Sequence, residues 1–460
     1  MKDELVKTVD HGRNLGAEYV EARAQQLFKT LLTTKDGKVE VAKEGIESGA
    51  GVRVLLNGAW GFVSLGKLES KLLAEAVDGA VRLAKAASLR VKKPVKLVET
   101  RAMEDRIVAY PKKNPRDVTV EEKIDVALTM DKTIFGYDNR MKSCTIDYLD
   151  VTGTNHFVNS DGTYIEQDKL YVWSRIQASA REANIFASGR EEIGSTSGFE
   201  IFNTEIPEKV GTMIAKRIIN QLKAKTPKGG TFPAVIGPNV VGVFIHEAMG
   251  HLAEADLTLS GSILYDKLGK QIASDAVTVY DDGTVAGAFG SFKYDDEGVL
   301  TQKTPLIEKG ELTGLMHNRE TAYMLNAEPT GNARAENFRF EPIIRMRNTY
   351  LAPGDRTFEE LIEGIDFGYY LKSFRGGQAN LDGTFQVGIQ EAYEIVKGQL
   401  GAPVRNASIS GNTLETLHKV DAVGRDFELW PGRCGKGQTA FICDGGPDIR
   451  VREVIIGGGA

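Results

Sequence analysis

The sequence is poor in cysteine, in net positive charge and in long apolar runs, and each shortage excludes something. Three cysteines (Cys144, Cys434, Cys443) in 460 residues cannot close into pairs and are too few for a disulfide framework. The 63 acidic residues outnumber the 57 basic ones, for a net charge of −6, so there is no polybasic footprint to capture nucleic acid or an anionic membrane. No apolar run reaches the ~20 residues of a membrane span. The opening MKDELVKTVDHGRN lacks the apolar core of a signal peptide. The expectation is a reduced, cytoplasmic, soluble protein with no nucleic-acid and no membrane partner.

Hydrophobic residues at 42% and charged residues at 26% suit a globular chain. Glycine is in excess, with 50 in 460, about 11% against an average of roughly 7%. No collagen period or Gly/Ser tract accounts for it, so the excess points to turns and hence to strands.

The pattern predicts an opening helix over 2–16, then strands around hairpin signals at Asp36-Gly37 and Asn57-Gly58. Leu72, Leu73, Ala76, Val77, Ala80, Val81 and Ala84 space an amphipathic helix over 68–89. Thr119-Val-Glu-Glu122 is a capping-box signature opening a second helix. Strands resume at Met141, with turns read at Thr152-Gly153-Thr154 and Asn159–Gly162, and another helix runs over 207–225. The second half is turn-rich, with strands read at AVTVYDD, LTGLMHN, RMRNTYL and TFQVGIQEAYEIV and short helices at 318–325 and 357–364. The expected class is α+β: an N-terminal mixed region of hairpins and amphipathic helices, then a large C-terminal domain rich in antiparallel sheet. The expected division is a domain at 1–92, a linker at 93–118, a central α+β region at 119–228 and a β-rich C-terminal domain at 229–460.

One arrangement carries chemistry: His246-Glu247-Ala-Met-Gly250-His251, an H-E-x-x-x-H within an apolar helix-like run. With six histidines, chance supplies such a pair plus acid about 0.01 times. Zinc-binding H-E-x-x-H places its imidazoles at i and i+4, some 40° apart on a helix. Spacing of five puts them about 140° apart on a regular helix, where they cannot share an ion. Convergence needs a helix locally widened or broken near Gly250, as a π-bulge would do, and glycine there would make distortion cheap. Without a metal, the two histidines would be polar residues on a partly buried helix.

Zinc needs a third protein ligand and an open position. The candidates are Glu254, Asp256, His317, His418, Cys434 and Cys443. Glu254 points elsewhere if the helix continues. Cys434 sits in LWPGRCGKGQTAF, read as a glycine-flanked loop with little apolar packing, an odd place for a structural cysteine. Cys443 and Cys144 lie in strand-like segments and read as core. Arg334, His317 and Arg345 are read as surface or structural residues. GRCGKGQT lacks Walker spacing, since Lys436 is followed by Gly437 rather than Ser or Thr.

The chain resembles the TldD/PmbA family of zinc metalloproteases, also called modulators of DNA gyrase, and within it the TldD-type catalytic branch. The resemblance runs nearly end to end: GAGVRVLLNGAWGFVSL (49–65), FIHEAMGHLAEAD (244–256), YDDEG (294–298), PTGNARAENF (329–338), PIIRMRNTYLAPG (342–354) and GRCGKGQ (432–438). It implies one Zn²⁺ per subunit held by His246, His251 and Cys434, with Glu247 as catalytic acid/base. It implies hydrolysis of unfolded or small peptides, and a homodimer or a heterodimer with a PmbA-type subunit. The alternative is a non-hydrolytic peptide-binding or partner-modulating subunit whose zinc is structural.

Overall fold

Along Tyr19–Lys35, Val20, Ala22 and Ala24 are fully buried, and so are the intervening Glu21, Arg23 and Gln25. A strand buried on both faces must run between two layers. A computed structural model, describing residues 1–458, shows both. The apolar face packs under helices Lys2–Asn14 and Ser70–Ser88, where Leu5, Val9, Leu73 and Val77 close a core with Val52 and Val54. Each fully buried side chain of this kind contributes about 1.5–3 kcal/mol. The polar face turns toward the C-terminal half. There Arg53 bridges Glu21 at 3.0 Å and Glu297 at 2.8 Å across the junction.

Tyr19–Lys35, Lys38–Leu56 and Ala59–Leu65 are joined edge to edge with Met141–Asn159, Tyr164–Glu182 and Ile185–Ser195 in a single seven-stranded sheet. The 93–118 segment adds a short strand, Glu104–Ile107, the one parallel member of that sheet. Helices Val120–Tyr137 and Ile206–Lys223 cover the far end, and the capping box at Thr119 and Glu122 forms as the sequence predicts. The turn expected at Thr152-Gly153-Thr154 does not form, because Met141–Asn159 runs straight through it. Gly153 is needed there for close approach: a Cβ would overlap the carbonyl oxygen of Gln26 on the neighbouring strand.

The C-terminal half is β-rich, and the whole fold is α+β. Gly230–Ile236, Phe367–Ala379, Thr384–Val396, Ala407–Asn412 and Ile449–Gly458 pair in a closed ring. A separate six-stranded sheet ends in the hairpin Glu428–Gly435 and Thr439–Gly446. Of LTGLMHN only Leu312 lies in a strand, the two-residue Glu311–Leu312. The backbone of Met316 instead hydrogen-bonds Ala253 and Ala255, clamping the end of the histidine-bearing helix. Glycine serves close packing as well as turns: eighteen glycines take positive φ among the described residues.

Candidate metal centre

Helix Pro238–Ile245 is apolar on every side because it lies buried between the strand ring and the six-stranded sheet. It approaches Thr439–Gly446 so closely that a Cβ on Gly242 would sit 2.7 Å from Asp444 Oδ1. At His246 the helix widens into a π turn over His246–Gly250, and the His251 N–H donates to the His246 carbonyl five residues back. It tightens into a 3₁₀ turn at His251–Ala253 and stops at the extended Glu254. The additional residue in the turn rotates His251 onto the His246 face. Their ring centroids lie 5.0 Å apart at 84°.

The bulge expected from the five-residue spacing is present, but Gly250 does not supply it through backbone freedom. Gly250 has ordinary helical angles (φ −57°, ψ −55°), so no glycine-specific backbone is required. What its position forbids is a side chain, since a Cβ would overlap Met346 Sδ.

Cys434 comes from the far hairpin, opposite Ala440. The expected loop is a strand, Glu428–Gly435, and the thiol is buried in the main core with Ala440 and Ile442. Its Sγ lies 3.3 Å from His251 Nε2. One donor atom each from His246, His251 and Cys434 falls within 4.8 Å of the others, and no fourth donor joins them among the described residues. Glu247 lines the same cleft, of about 280 Å³.

The electrostatics favour a metal ligand set. Burial opposes a thiolate, but the imidazoles of His246 and His251 outweigh it and draw Cys434 down to about 4. Burial likewise opposes an imidazolium, yet Cys434 and Glu254 push His251 up to about 10. His251 Nδ1 lies 2.9 Å from Glu254 Oε2, leaving Nε2 toward the thiol. Such a carboxylate–histidine contact fixes the ring that a metal uses. His246 Nδ1 is buried with no hydrogen-bond partner among the described residues. Two imidazoles and a thiolate suit zinc rather than magnesium or calcium.

Three family models cover nearly the whole chain: PmbA/TldA metallopeptidase domain 1 matches residues 20–88, the central domain 113–225, and the C-terminal domain 229–458. The chain belongs to the PmbA/TldA metallopeptidase family. It is 42% identical over 444 residues, 96% of each chain, to a metalloprotease of Methanothermobacter thermautotrophicus. It is 34% identical over 456 residues to the zinc metalloprotease TldD homolog of Saccharolobus solfataricus, covering 99% of this chain and 100% of that one. TldE from Thermococcus kodakarensis shares the fold at a TM-score of 0.79 and 19% identity, over 99% of this chain and 100% of that chain.

In this PmbA/TldA chain the other candidate ligands lie elsewhere. His317 is buried against Thr321 and Thr330, and burial pulls it down to about 4. His418 is exposed at the end of helix Thr413–His418. Cys443 is core, its Sγ accepting from the Phe289 N–H at 3.2 Å, and Cys144 is fully buried in the N-terminal half. Asp256 is held by Lys436 at 2.7 Å, and Lys436 also reaches Glu254 at 3.1 Å. Arg345 and Arg334 are buried and donate to backbone carbonyls, Arg345 to that of Cys434 at 2.7 Å. Sequence reasoning missed Asp444, which lines the cleft with its carboxyl pushed by burial up to about 7. The available signal was an acid following Ala440 and Ile442 on an otherwise apolar alternating face.

Proposed function

We propose that this family member is a zinc-dependent peptidase acting on unfolded or small peptides, with His246, His251 and Cys434 as metal ligands and Glu247 as general base. The observation that carries the reading is the convergence of two imidazoles and a depressed thiol in one cleft beside an uncommitted carboxylate. Zinc bound there would supply Lewis acidity and a water acidified toward about pKa 7.

The chain's own groups do the rest. Glu247 takes the proton of the attacking water and returns it to the leaving amine. Glu254 keeps His251 in one tautomer, and His251 first, then Lys436, hold Glu254 ionised in a site where burial alone would neutralise it. Arg345 ties the Cys434 backbone to the Gln438 carbonyl, so the thiol is presented from a fixed turn. A three-donor set favours catalysis over structural zinc, which usually closes with four protein ligands.

Extended peptides suit the cleft. Among the described residues the outer edge of Glu428–Gly435 has no strand partner, and the far end of Phe367–Ala379 pairs on one side only. Gly376, Gly377, Gly432 and Gly435 keep these edges open where they line the cleft. A peptide added as a strand would use those backbone groups, which selects unfolded chains over folded ones. Assembly as a homodimer or with a PmbA-type subunit fits the same reading, enclosing the cleft.

Glu247→Ala tests the mechanism. The variant should keep its zinc and lose peptide hydrolysis by about 10²–10⁴-fold; unchanged turnover would refute the general-base role. Cleavage of a folded, loop-free protein as fast as a short peptide would refute the strand-addition reading.

A further inference from the structure

Behind the Cys434 hairpin, against the polar-facing side of the N-terminal sheet, lies a second cavity of about 180 Å³. Part of its wall is apolar: Leu27, Val151, and the packed rings of Tyr171 and Phe441, 4.3 Å apart. Its charges are mostly positive, Lys29, Lys169, Arg334, Arg345 and Arg433 against Glu336, with the buried Asp296 near Lys169. Lys169 has no hydrogen-bond or ion-pair acceptor among the described residues, and its Nζ rests 4.2 Å from the Phe292 ring centre. Arg433, exposed at the mouth, lies against the rings of Trp173 and Phe441 and also acts on the Glu192 carboxylate. Arg345 is 1% exposed, spends its two terminal nitrogens on carbonyls and leaves a buried Nε without a partner. Arg334 donates to the Met346 and Phe441 carbonyls and also interacts with the Tyr171 hydroxyl.

The remaining charges offset these only in part, through Glu336 on the cavity wall and the buried Asp296 near Lys169. Lys29 is paired with Glu47, and Glu336 accepts the Thr439 N–H at 2.6 Å. Burial pulls Lys169 down to about 8; Asp296 opposes that fall, while Arg347, Arg334 and Arg23 add to it. Cations set beside an apolar patch stabilise an anion that brings an apolar body with it. The volume suits one such group, since a cavity of about 150 Å³ accepts benzene.

We propose that this cavity is a carboxylate subsite, taking a small carboxylate with an aromatic or branched apolar body. Two sources share that chemistry: the C-terminal residue of a peptide held at the metal cleft, and a free carboxylic acid. The first rests on the peptidase reading and the second does not. Either would act on the same hairpin. Arg433 lines both cavities, and Arg345 joins the Cys434 and Gln438 carbonyls across the turn.

Calorimetry on the full chain, zinc-loaded and zinc-free, tests the site with N-acetyl-L-phenylalanine and its N-methylamide as probes. The acid should bind at least about tenfold more tightly than the amide, with or without zinc, and Lys169→Met should remove that preference. Equal binding of acid and amide would overturn the proposal. So would acid binding that survives Lys169→Met but disappears with zinc, since that carboxylate sits on the metal. These measurements need no turnover and can be made on Glu247→Gln, so their failure is distinct from failure of the peptidase reading. Peptide pairs with free and amidated C-termini then separate the sources. A lower KM for the free acid, raised by N-acetyl-L-phenylalanine, assigns the site to the substrate's C-terminus; equal KM values with probe binding retained assign it to a free acid.

Discussion

On one face of the 428–446 hairpin, Cys434 meets two imidazoles and a cleft that also holds Glu247, Glu192 and Asp444; on the other, Arg433 and Phe441 face Lys169, Arg334 and Arg345. The first cavity has lone pairs in want of a cation, and the second has N–H groups in want of an anion. Both differences come from one strand, because successive side chains point to opposite faces. Cys434 therefore serves the metal cleft, while its neighbour Arg433 reaches the rims of both cavities. The lesson is that a charge is informative through what fails to neutralise it. Arg53, buried as deeply as Arg345, is matched by Glu21 and Glu297 and carries no such implication.

The contrast can be broken most sharply at the thiol. Cys434→Ala should lower bound zinc well below one per chain and reduce peptide turnover by about 10³-fold or more, read by elemental analysis and peptide cleavage on the same sample. Next is the carboxylate behind His251. Glu254→Gln keeps the shape but loses the charge, and zinc affinity measured by chelator competition should fall about 10–100-fold. An unchanged affinity would make Glu254 a purely structural residue.

Gly250→Ala probes the packing that lets the π turn close. Its methyl group collides with Met346, so the expected cost is about 1–3 kcal/mol in denaturant unfolding. Met346→Ala in the same chain should restore part of it. The smallest effect belongs to the cationic cavity. Lys169→Met should stabilise the chain by about 1–2 kcal/mol at pH 7, since it removes an unpaired, desolvated ammonium. The sign of the pH dependence follows from a folded value of about 8 lying below the unfolded value. Below about pH 8 the penalty is fully present; between there and about 10.4 the unfolded chain retains a proton that the folded chain has lost, so wild-type stability rises with pH. The advantage of the methionine variant should therefore fade over that window, and one that is constant with pH would contradict the assignment.

Much of this was legible in one dimension. The Asp36-Gly37 hairpin, the Thr119 capping box and the helix over Ser70–Ser88 rest on interactions within a few residues, so local pattern was enough. The five-residue histidine spacing implied a widened turn because a regular helix could not bring both rings together. Cys434 was different. Nothing in its local sequence pairs it with His251, 183 positions away, and it entered through resemblance to a family rather than through spacing. The misread turn at Gly153 and the misjudged Gly250 share one cause: each glycine answers to an atom from a distant segment, Gln26 in one case and Met346 in the other.

By itself, then, the sequence determined the class of the fold, its hairpins and helix caps, and a helix that had to bulge to bring its histidines together, because backbone propensity and side-chain period act over a few residues. Only the tertiary structure decided which acid orients His251, which strand supplies the thiol, and which cations are left unpaired behind it. Those are differences between charges and their surroundings, and the surroundings are assembled from segments up to a few hundred residues apart.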